Sequence, residues 1–278
     1  MPRLLTEHNP PLLTAEALSF TRLADLGMRL TAHAGERVGI LGVAGSGKTQ
    51  LLRCLARLDP VVAGRLRWGT VDVTHKARWL LGRHRSYVAL ILQNPYTFLE
   101  PWLQAGTFLA KWPHCRRRDE QKITAHLQRV GLASITQAQR VQNLSGMDRV
   151  LLVLAYALLS EPTVLLLDDV FGMLLPEVWG TLLAYIQKAL RPQQALIVAS
   201  QYGQVLQGVD TVFVLWQGQV VEWGAREAVF STPYHTYTRD LVAGQYGMIH
   251  HSPKFKWGAN VEVAEIAPQH WVGVVPSG

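Results

Sequence analysis

The sequence predicts an α/β fold in which a mostly parallel sheet holds a phosphate-binding loop. A glycine-rich loop, Gly42–Thr49, lies between an apolar segment and a stretch with helical spacing. Apolar runs at 87–92, 163–167 and 195–200 are separated by helical stretches, which is typical of a parallel sheet covered on both faces. Segments on either side of Gln217-Gly218 predict an antiparallel hairpin at the end of this unit.

The loop matches the pattern G-x-x-x-x-G-K-[ST] at every fixed position; its residues are Gly42, Val43, Ala44, Gly45, Ser46, Gly47, Lys48 and Thr49. Glycines let successive N–H groups point into one concavity, and the helix that follows directs its positive end there. Lys48 supplies a charge for the β- and γ-phosphates, and Thr49 supplies a hydroxyl ligand for Mg²⁺. A turn that binds nothing is the alternative. Because the flanking strand and helix also fit, we expect a P-loop NTPase core that binds a nucleoside triphosphate.

Composition limits the classes of protein to which the chain can belong. The chain has 278 residues, 49% of them hydrophobic, which is enough for one domain or two lobes. Its longest apolar run, Val150–Leu159, is too short for the ~20 residues of a membrane span and predicts a buried helix. The N-terminus lacks a signal pattern, which favours the cytoplasm. The two cysteines, Cys54 and Cys115, form no C-x-x-C and argue against disulfides, zinc and iron–sulfur clusters.

The net charge of +7 suits nucleic acid or an anionic membrane, but scattered, solvated charges explain it equally well. The one tight run, Arg116–Arg118, fits lipid or nucleic-acid contact or a solvated helix face. The pair His250-His251 fits a metal site or an ordinary solvated tail. Trp102 and Trp112 fit a docking surface or core positions.

Local patterns order the rest of the chain. Residues 12–30 predict strands, and 65–68 alternate as a strand does. The stretch 94–160 is largely helical, with breaks at prolines, and 177–190 predicts a further helix. The tail from about residue 250 has no clear periodicity.

Two acids follow the apolar run 163–167. Asp168 would emerge near the phosphate loop, where it can hold Mg²⁺ through water. Asp169 would orient or polarise an attacking water. Solvent-facing polarity at a strand end is the alternative, and the intact loop upstream favours function.

Over residues 12–250 the chain resembles the nucleotide-binding subunit of an ABC transporter, and most of all the peptide and nickel importer branch. Besides the phosphate loop, four motifs support this. Gln93–Tyr96 resembles the Q-loop, and Leu144–Gly146 resembles the start of the signature. Val164–Asp168 resembles Walker B, and Ser231–Arg239 resembles that branch's P-x-H-x-Y-T-R segment. Their order and separation match the family.

The resemblance implies a RecA-like core with a mostly parallel sheet, an antiparallel β portion and a helical subdomain. It implies an ABC-type domain over 1–250, with a core lobe at 12–93 and 161–250, a helical lobe at 94–160, and a tail at 251–278. Two such subunits would close head to tail around ATP, each nucleotide lying between one phosphate loop and the other subunit's signature helix. Phe20 corresponds to an aromatic that stacks on adenine, although an ordinary core position also fits.

The resemblance also implies partners and cofactors. Mg²⁺ would be held by Thr49, Gln93 and Asp168, and Gln93 would report the state of the nucleotide to the membrane. The partners would be two transmembrane permease subunits, an extracytoplasmic solute-binding protein and a second, non-identical ATP-binding subunit, with no nucleic acid. The chain would lie on the cytoplasmic face of the inner membrane as a peripheral subunit.

Departures from the family pattern occur at the signature. The family has L-S-G-G-Q, and this chain has Leu144 followed by Ser145, Gly146, Met147 and Asp148. The first two can still form an anion site at a helix start. Met147 restricts close backbone approach, and Asp148 adds a negative charge that is also favourable in a helix's first turn. The arginine usual later in that helix is Tyr156.

Other departures occur at catalytic positions. The catalytic glutamate is Asp169, one methylene shorter, and a misplacement of ~1 Å can cost ~10²-fold in rate. The D-loop aspartate is Leu175, and the switch histidine is Gln201, which binds phosphate but cannot shuttle a proton. The sequence therefore predicts a degenerate subunit that binds ATP, hydrolyses it poorly and works beside a non-identical, more competent partner. A regulatory, non-hydrolysing module and, less favoured, a nucleic-acid-associated ATPase are the alternatives.

Overall fold

The computed structural model describes residues 10–21, 24–25, 29–77, 81, 86–111, 120–132, 137–244 and 262–274. Arg116–Arg118, Trp112, Cys115 and His250-His251 lie outside these residues, so the expectations for them stay predictions. The backbone of Phe20 lies in a strand, but its side chain is outside the described part, and its adenine contact also stays a prediction.

The described residues form thirteen strands and seven α-helices. The strands are β1 (Leu13–Thr21), β2 (Ala24–Asp25), β3 (Arg29–Ala32), β4 (Arg37–Leu41), β5 (Ala63–Trp68), β6 (Val71–Asp72), β7 (Val88–Ile91), β8 (Val164–Asp168), β9 (Ala195–Ser200), β10 (Thr211–Trp216), β11 (Gln219–Ala225), β12 (Glu262–Ala267) and β13 (His270–Val274). The helices are α1 (Lys48–Leu55), α2 (Ala105–Ala110), α3 (Glu120–Arg129), α4 (Gly146–Leu158), α5 (Trp179–Ala189), α6 (Arg226–Ser231) and α7 (Thr236–Val242).

The larger sheet has eight strands in the order β12-β13-β11-β10-β4-β9-β8-β7. Its strands from β7 to β10 are parallel, and β11, β13 and β12 continue it antiparallel. The hairpin predicted around Gln217-Gly218 is confirmed as β10–β11. Pairing of Leu41 with Ser200 and of Asp168 with Ala199 aligns the carboxyl ends of β4, β8 and β9. The loops that follow these strands therefore meet at one edge of the sheet.

A smaller antiparallel sheet packs beside the first one. It has the order β2-β1-β5-β6, and β3 pairs with β1. The predicted antiparallel portion is thus confirmed.

The strands of the parallel core are buried on both faces, which explains why they are continuously apolar. In β8, Leu165 and Leu167 belong to the core formed with α4 and α5. Val164 and Leu166 face the other way, into the core formed with α1 and the smaller sheet. Successive side chains of a strand point to opposite faces, so two cores share each strand.

The predicted helical stretch contains α2, α3 and α4. Helix α4 buries seven residues from Val150 to Leu158, which confirms that the apolar run Val150–Leu159 is a core helix. Within the described ranges, every helix falls short of the length and apolar character that a membrane span requires.

The C-terminal region corrects one expectation. The sequence has no clear periodicity from about residue 250, yet β12 and β13 form a hairpin whose second strand pairs with β11. Trp223 stacks on Trp271 across this pairing, with ring centroids 5.8 Å apart. Residues 262–274 therefore extend the larger sheet.

Candidate functional site

The phosphate loop connects β4 to α1 at the carboxyl edge of the larger sheet. Gly45 and Gly47 have φ values of 78° and 103°, which side chains with a Cβ rarely adopt. A Cβ on Gly42 would lie 2.3 Å from the carbonyl oxygen of Leu215. The loop is also held by Gly218, whose N–H donates to the carbonyl oxygen of Ser46. Gly42 is required because β10 encloses the loop tightly there, whereas Gly45 and Gly47 are required by their positive φ values.

Lys48 is the first residue of α1 and is 6% exposed. Its Nζ donates to the carbonyl oxygens of Gly42 at 2.7 Å and Val43 at 2.8 Å. Burial lowers the pKa of Lys48, and the charges of Asp169 and Asp168 oppose this shift. The ammonium thus lies between the loop and the two acids, where a phosphate would complete its coordination.

Asp168 ends β8 and is 1% exposed. Burial raises its pKa, whereas the Thr49 hydroxyl and the Lys48 charge lower it. Both carboxylate oxygens are buried, and no described group makes a hydrogen bond of regular geometry to either one. Unsatisfied buried carboxylates are rare in native proteins, so this pair of oxygens fits a ligand that arrives from outside.

This arrangement fits Mg²⁺, which binds through one or two protein oxygens together with phosphates and water. Asp168 and Thr49 supply a carboxylate and a hydroxyl near each other. Gln93, the third predicted ligand, is exposed and lies two residues beyond the end of β7, which neighbours β8. Among the described residues, no group of three or more His, Cys, Asp or Glu side chains is placed to hold a metal ion.

Asp169 has a left-handed backbone, with φ of 44°, and is 5% exposed. Its Oδ1 accepts from the Ser200 hydroxyl at 3.2 Å, and its Oδ2 accepts from Nε2 of Gln201 at 3.3 Å. Burial raises its pKa, and the Lys48 charge is the largest opposing effect. The structure thus brings Asp169 and Gln201 into contact. Ser200 is not among the predicted site residues, although its place at the end of β9 was a usable signal.

Ser145 caps the N-terminus of α4. Its hydroxyl accepts from the backbone N–H of Asp148 at 3.1 Å and donates to the carboxylate of Asp148 at 2.8 Å. Tyr96 donates its hydroxyl proton to the carbonyl oxygen of Gly146 at 3.2 Å. Met147 packs against the core. The carboxylate of Asp148 therefore occupies hydrogen-bonding capacity at the position where the sequence predicts a partner's phosphate.

Leu175 stands at the predicted D-loop position and is 72% exposed. Met173, two residues earlier, is also exposed. The indole N–H of Trp179 donates to the carbonyl oxygen of Leu174, which lies between Met173 and Leu175, and fixes the backbone there. Two apolar side chains are thus presented to solvent immediately beyond the site.

A family model described as ABC transporter matches residues 26–172, just over half of the chain. The chain belongs to the ABC transporter family. The match extends from before the phosphate loop past Asp168 and Asp169, so it includes the loop and both acids, whereas Ser200 and Gln201 lie beyond it.

Individual relatives agree with this family. The chain is 29% identical to the "Probable peptide ABC transporter ATP-binding protein" of Sinorhizobium fredii over 220 residues, which cover 77% of this chain and 62% of that protein. It is 31% identical to a methionine import ATP-binding protein of Rhodococcus jostii over 221 residues, 77% of this chain and 64% of the relative. The chain thus spans less than two thirds of the length of these curated relatives.

The fold agrees as well. A subunit of a Clostridium perfringens ABC transporter complex, cbiO1, superposes with a TM-score of 0.69 at 21% identity, covering 87% of this chain and all of that one. Similarity at this level of identity establishes the ABC ATPase fold, and the predicted P-loop α/β core is thereby confirmed.

Proposed function

We propose that this chain is the ATP-binding subunit of an ABC importer and binds ATP with Mg²⁺ at Gly42–Thr49. The observation that supports this most directly is the carboxylate of Asp168, which is buried beside Thr49 and Lys48 without a regular hydrogen bond. A Mg²⁺–phosphate group satisfies such oxygens, and the loop amides with Lys48 complement the phosphate charge.

The residues have distinct tasks in this proposal. Thr49 and Asp168 hold the cation, with Gln93 at the neighbouring strand end, and Mg²⁺ neutralises charge on the phosphates when bound. Lys48 exchanges its bonds to the loop carbonyls for bonds to phosphate. Asp169 accepts a proton from, or orients, the attacking water, and Gln201 holds the Asp169 carboxylate.

The chain would act in a transport complex. Two permease subunits, an extracytoplasmic solute-binding protein and a second ATP-binding subunit complete it, and the chain lies peripherally on the cytoplasmic face of the inner membrane without a nucleic-acid partner. The relatives are named for peptide and methionine import, which supports a small solute as the cargo. The segment 231–239 favours peptides, nickel or metal chelates as the class of that cargo.

We further propose that this is the degenerate half of a heterodimeric ATPase pair. The Asp169 carboxylate is shorter than glutamate and is held by Ser200 and Gln201, which restrict its reach to water. Asp148 places a negative charge next to Ser145, the residue that would face the partner's nucleotide. Like charges at that position weaken phosphate binding. The same contacts favour, as a second candidate, a non-hydrolysing regulatory module in the same complex.

The test uses the assembled transporter with one acid changed at a time. We expect Asp169→Asn to reduce total ATP turnover by less than about twofold, whereas loss of the partner's equivalent acid abolishes it, because the competent site carries most hydrolysis. Abolition of turnover by Asp169→Asn alone would contradict the degenerate assignment. Turnover unchanged by Asp169→Asn, with one ATP retained per chain after filtration, identifies the regulatory module.

A further inference from the structure

A tyrosine far along the chain is bonded directly to the phosphate loop. Tyr237 in α7 is 1% exposed. Its hydroxyl accepts from the backbone N–H of Val43 at 3.0 Å and donates to the carbonyl oxygen of Leu215 at 3.3 Å. One phenolic oxygen thus links the second residue of the loop to β10.

The bonded residue is one that Lys48 also contacts. The carbonyl oxygen of Val43 accepts from Nζ of Lys48 at 2.8 Å and from the backbone N–H of Ser46 at 3.2 Å. Both backbone polar groups of Val43 are therefore satisfied, one by Tyr237 and the other within the loop. Movement of Val43 would displace the carbonyl that holds Lys48 in line with the acids.

Tyr237 is itself held firmly. Its backbone N–H donates to Nδ1 of His235, and its ring packs against Trp216 at 5.8 Å between centroids. The segment before α7 is fixed by Glu222, a fully buried carboxylate that accepts from the backbone N–H groups of Tyr234 and His235 at 2.9 Å each. The Tyr237 hydroxyl is thus held in place before nucleotide arrives.

Glu222 also reaches the C-terminal hairpin. Its Oε1 lies 2.6 Å from Nε2 of His270, the first residue of β13. The carboxylate therefore joins β11, the segment before α7 and β13 at one buried point. These contacts fix the segment before α7 close to the phosphate site, although that segment has no role of its own in the site.

We propose that Tyr237 is a positioning residue that fixes the first residues of the phosphate loop in the conformation that binds nucleotide. It acts through the Val43 N–H, and the Glu222–His270 pair fixes it in turn. The inference rests on the ATP site proposed above, and it adds a residue outside the motifs that define that site.

A role in core packing alone is the competing explanation, and a substitution separates the two. Tyr237→Phe keeps the ring against Trp216 and removes only the oxygen, which leaves the Val43 N–H without its partner in a partly buried place. The matched control is Tyr234→Phe, because Tyr234 lies in the same segment and its side chain is 56% exposed.

The experiment measures ATP dissociation constants of the full chain by titration with a fluorescent ATP analogue in Mg²⁺. We expect about a five- to tenfold weaker affinity for Tyr237→Phe, the effect of losing about one buried hydrogen bond. Tyr234→Phe should remain within twofold of the unsubstituted protein. Equal affinity of all three proteins overturns the proposal, and an unsubstituted chain that binds no ATP overturns it together with the ATP site.

A second measurement begins with the unsubstituted protein, so its first part needs no variant to fold. Amide hydrogen exchange of the nucleotide-free, unsubstituted protein should show Val43 protected, at a level similar to the amides of β4. In Tyr237→Phe, Val43 should exchange at least tenfold faster, while the strand amides keep their rates. Exchange of Val43 at the rate of an open loop in the unsubstituted protein overturns the proposal. A purely structural role predicts faster exchange throughout α7 and β10 without a selective change at Val43.

Discussion

The phosphate-loop edge and the N-terminus of α4 are the two surfaces that would contact nucleotide, and they differ in how their polar groups are satisfied. At the first, the Asp168 carboxylate and the Ser46 hydroxyl are buried without hydrogen bonds of regular geometry to the described residues. At the second, Ser145 both donates to Asp148 and accepts from it. The first surface gains bonds when a ligand binds, and the second must exchange bonds that it already has. The motif that matches its pattern and the one that departs from it thus differ in hydrogen bonding as well as in sequence.

The largest effect should come from Lys48→Ala at the first surface. The substitution removes the only buried ammonium among the described residues. Because this ammonium would be a desolvated partner of phosphate, its loss should weaken ATP binding by about 10²-fold. Lys188→Ala, an exposed lysine on α5, is the control and should leave affinity unchanged. Equilibrium ATP binding is the measurement, and a change below threefold would mean that the loop does not use its lysine.

Asp168→Asn should raise stability in the absence of Mg²⁺. Burial raises the pKa of Asp168, so the folded state binds its proton more tightly than the unfolded state does, and stability falls as pH rises through that pKa. At neutral pH the neutral amide should therefore be more stable by about 1–2 kcal/mol. The advantage should vanish below the ordinary carboxyl pKa of 3.8. Thermal unfolding in EDTA from pH 3 to 8 is the measurement, and a lower Tm for the variant at neutral pH would show that the carboxylate is already satisfied.

Asp148→Asn tests the second surface. It keeps the shape and the N–H that Ser145 caps but removes a charge from the first turn, so we expect a loss of about 0.5–1 kcal/mol in unfolding free energy. ATP-dependent association of the assembled pair should strengthen about fivefold, because the Ser145 hydroxyl no longer faces a carboxylate. Glu227→Gln is the control, since this first-turn acid follows an Ala cap without a side-chain bond. Equal association would remove the contrast between the surfaces.

Trp102→Ala should have the smallest effect on the protein itself. Trp102 is 67% exposed, so its removal should change unfolding free energy by less than about 0.5 kcal/mol and leave ATP affinity unchanged. Co-purification of the permease subunits should fall if the exposed indole contributes to docking. A large drop in Tm would show instead that Trp102 packs in the core.

Part of the fold and of the site could be predicted from the sequence, because those parts depend on local patterns and on motif spacing. The loop and the strands of the parallel core follow from motif spacing, and the rule that parallel strands end at one edge accounts for Asp169 and Gln201 lying on the same side of the sheet. Asp148 could not be assigned, because a first-turn acid fits both a cap and a disturbed anion site until the Ser145 bond is seen. Tyr237 meets Val43 only through tertiary packing, since 194 residues separate them. The β12–β13 hairpin was missed because its stability comes from β11 and from Trp223 on Trp271 rather than from its own pattern.

The hairpin β12–β13 also decides which strand of the larger sheet is left open. Without it, β11 would present a row of unpaired amide and carbonyl groups, and such a row is a template on which another chain can add a strand. With it, the exposed position passes to β12, where the Glu265 carboxylate, exposed to solvent, accepts from the N–H of Gln269. Expression of a shortened chain that ends before β12 should therefore yield self-associating protein, even with every nucleotide-binding residue present.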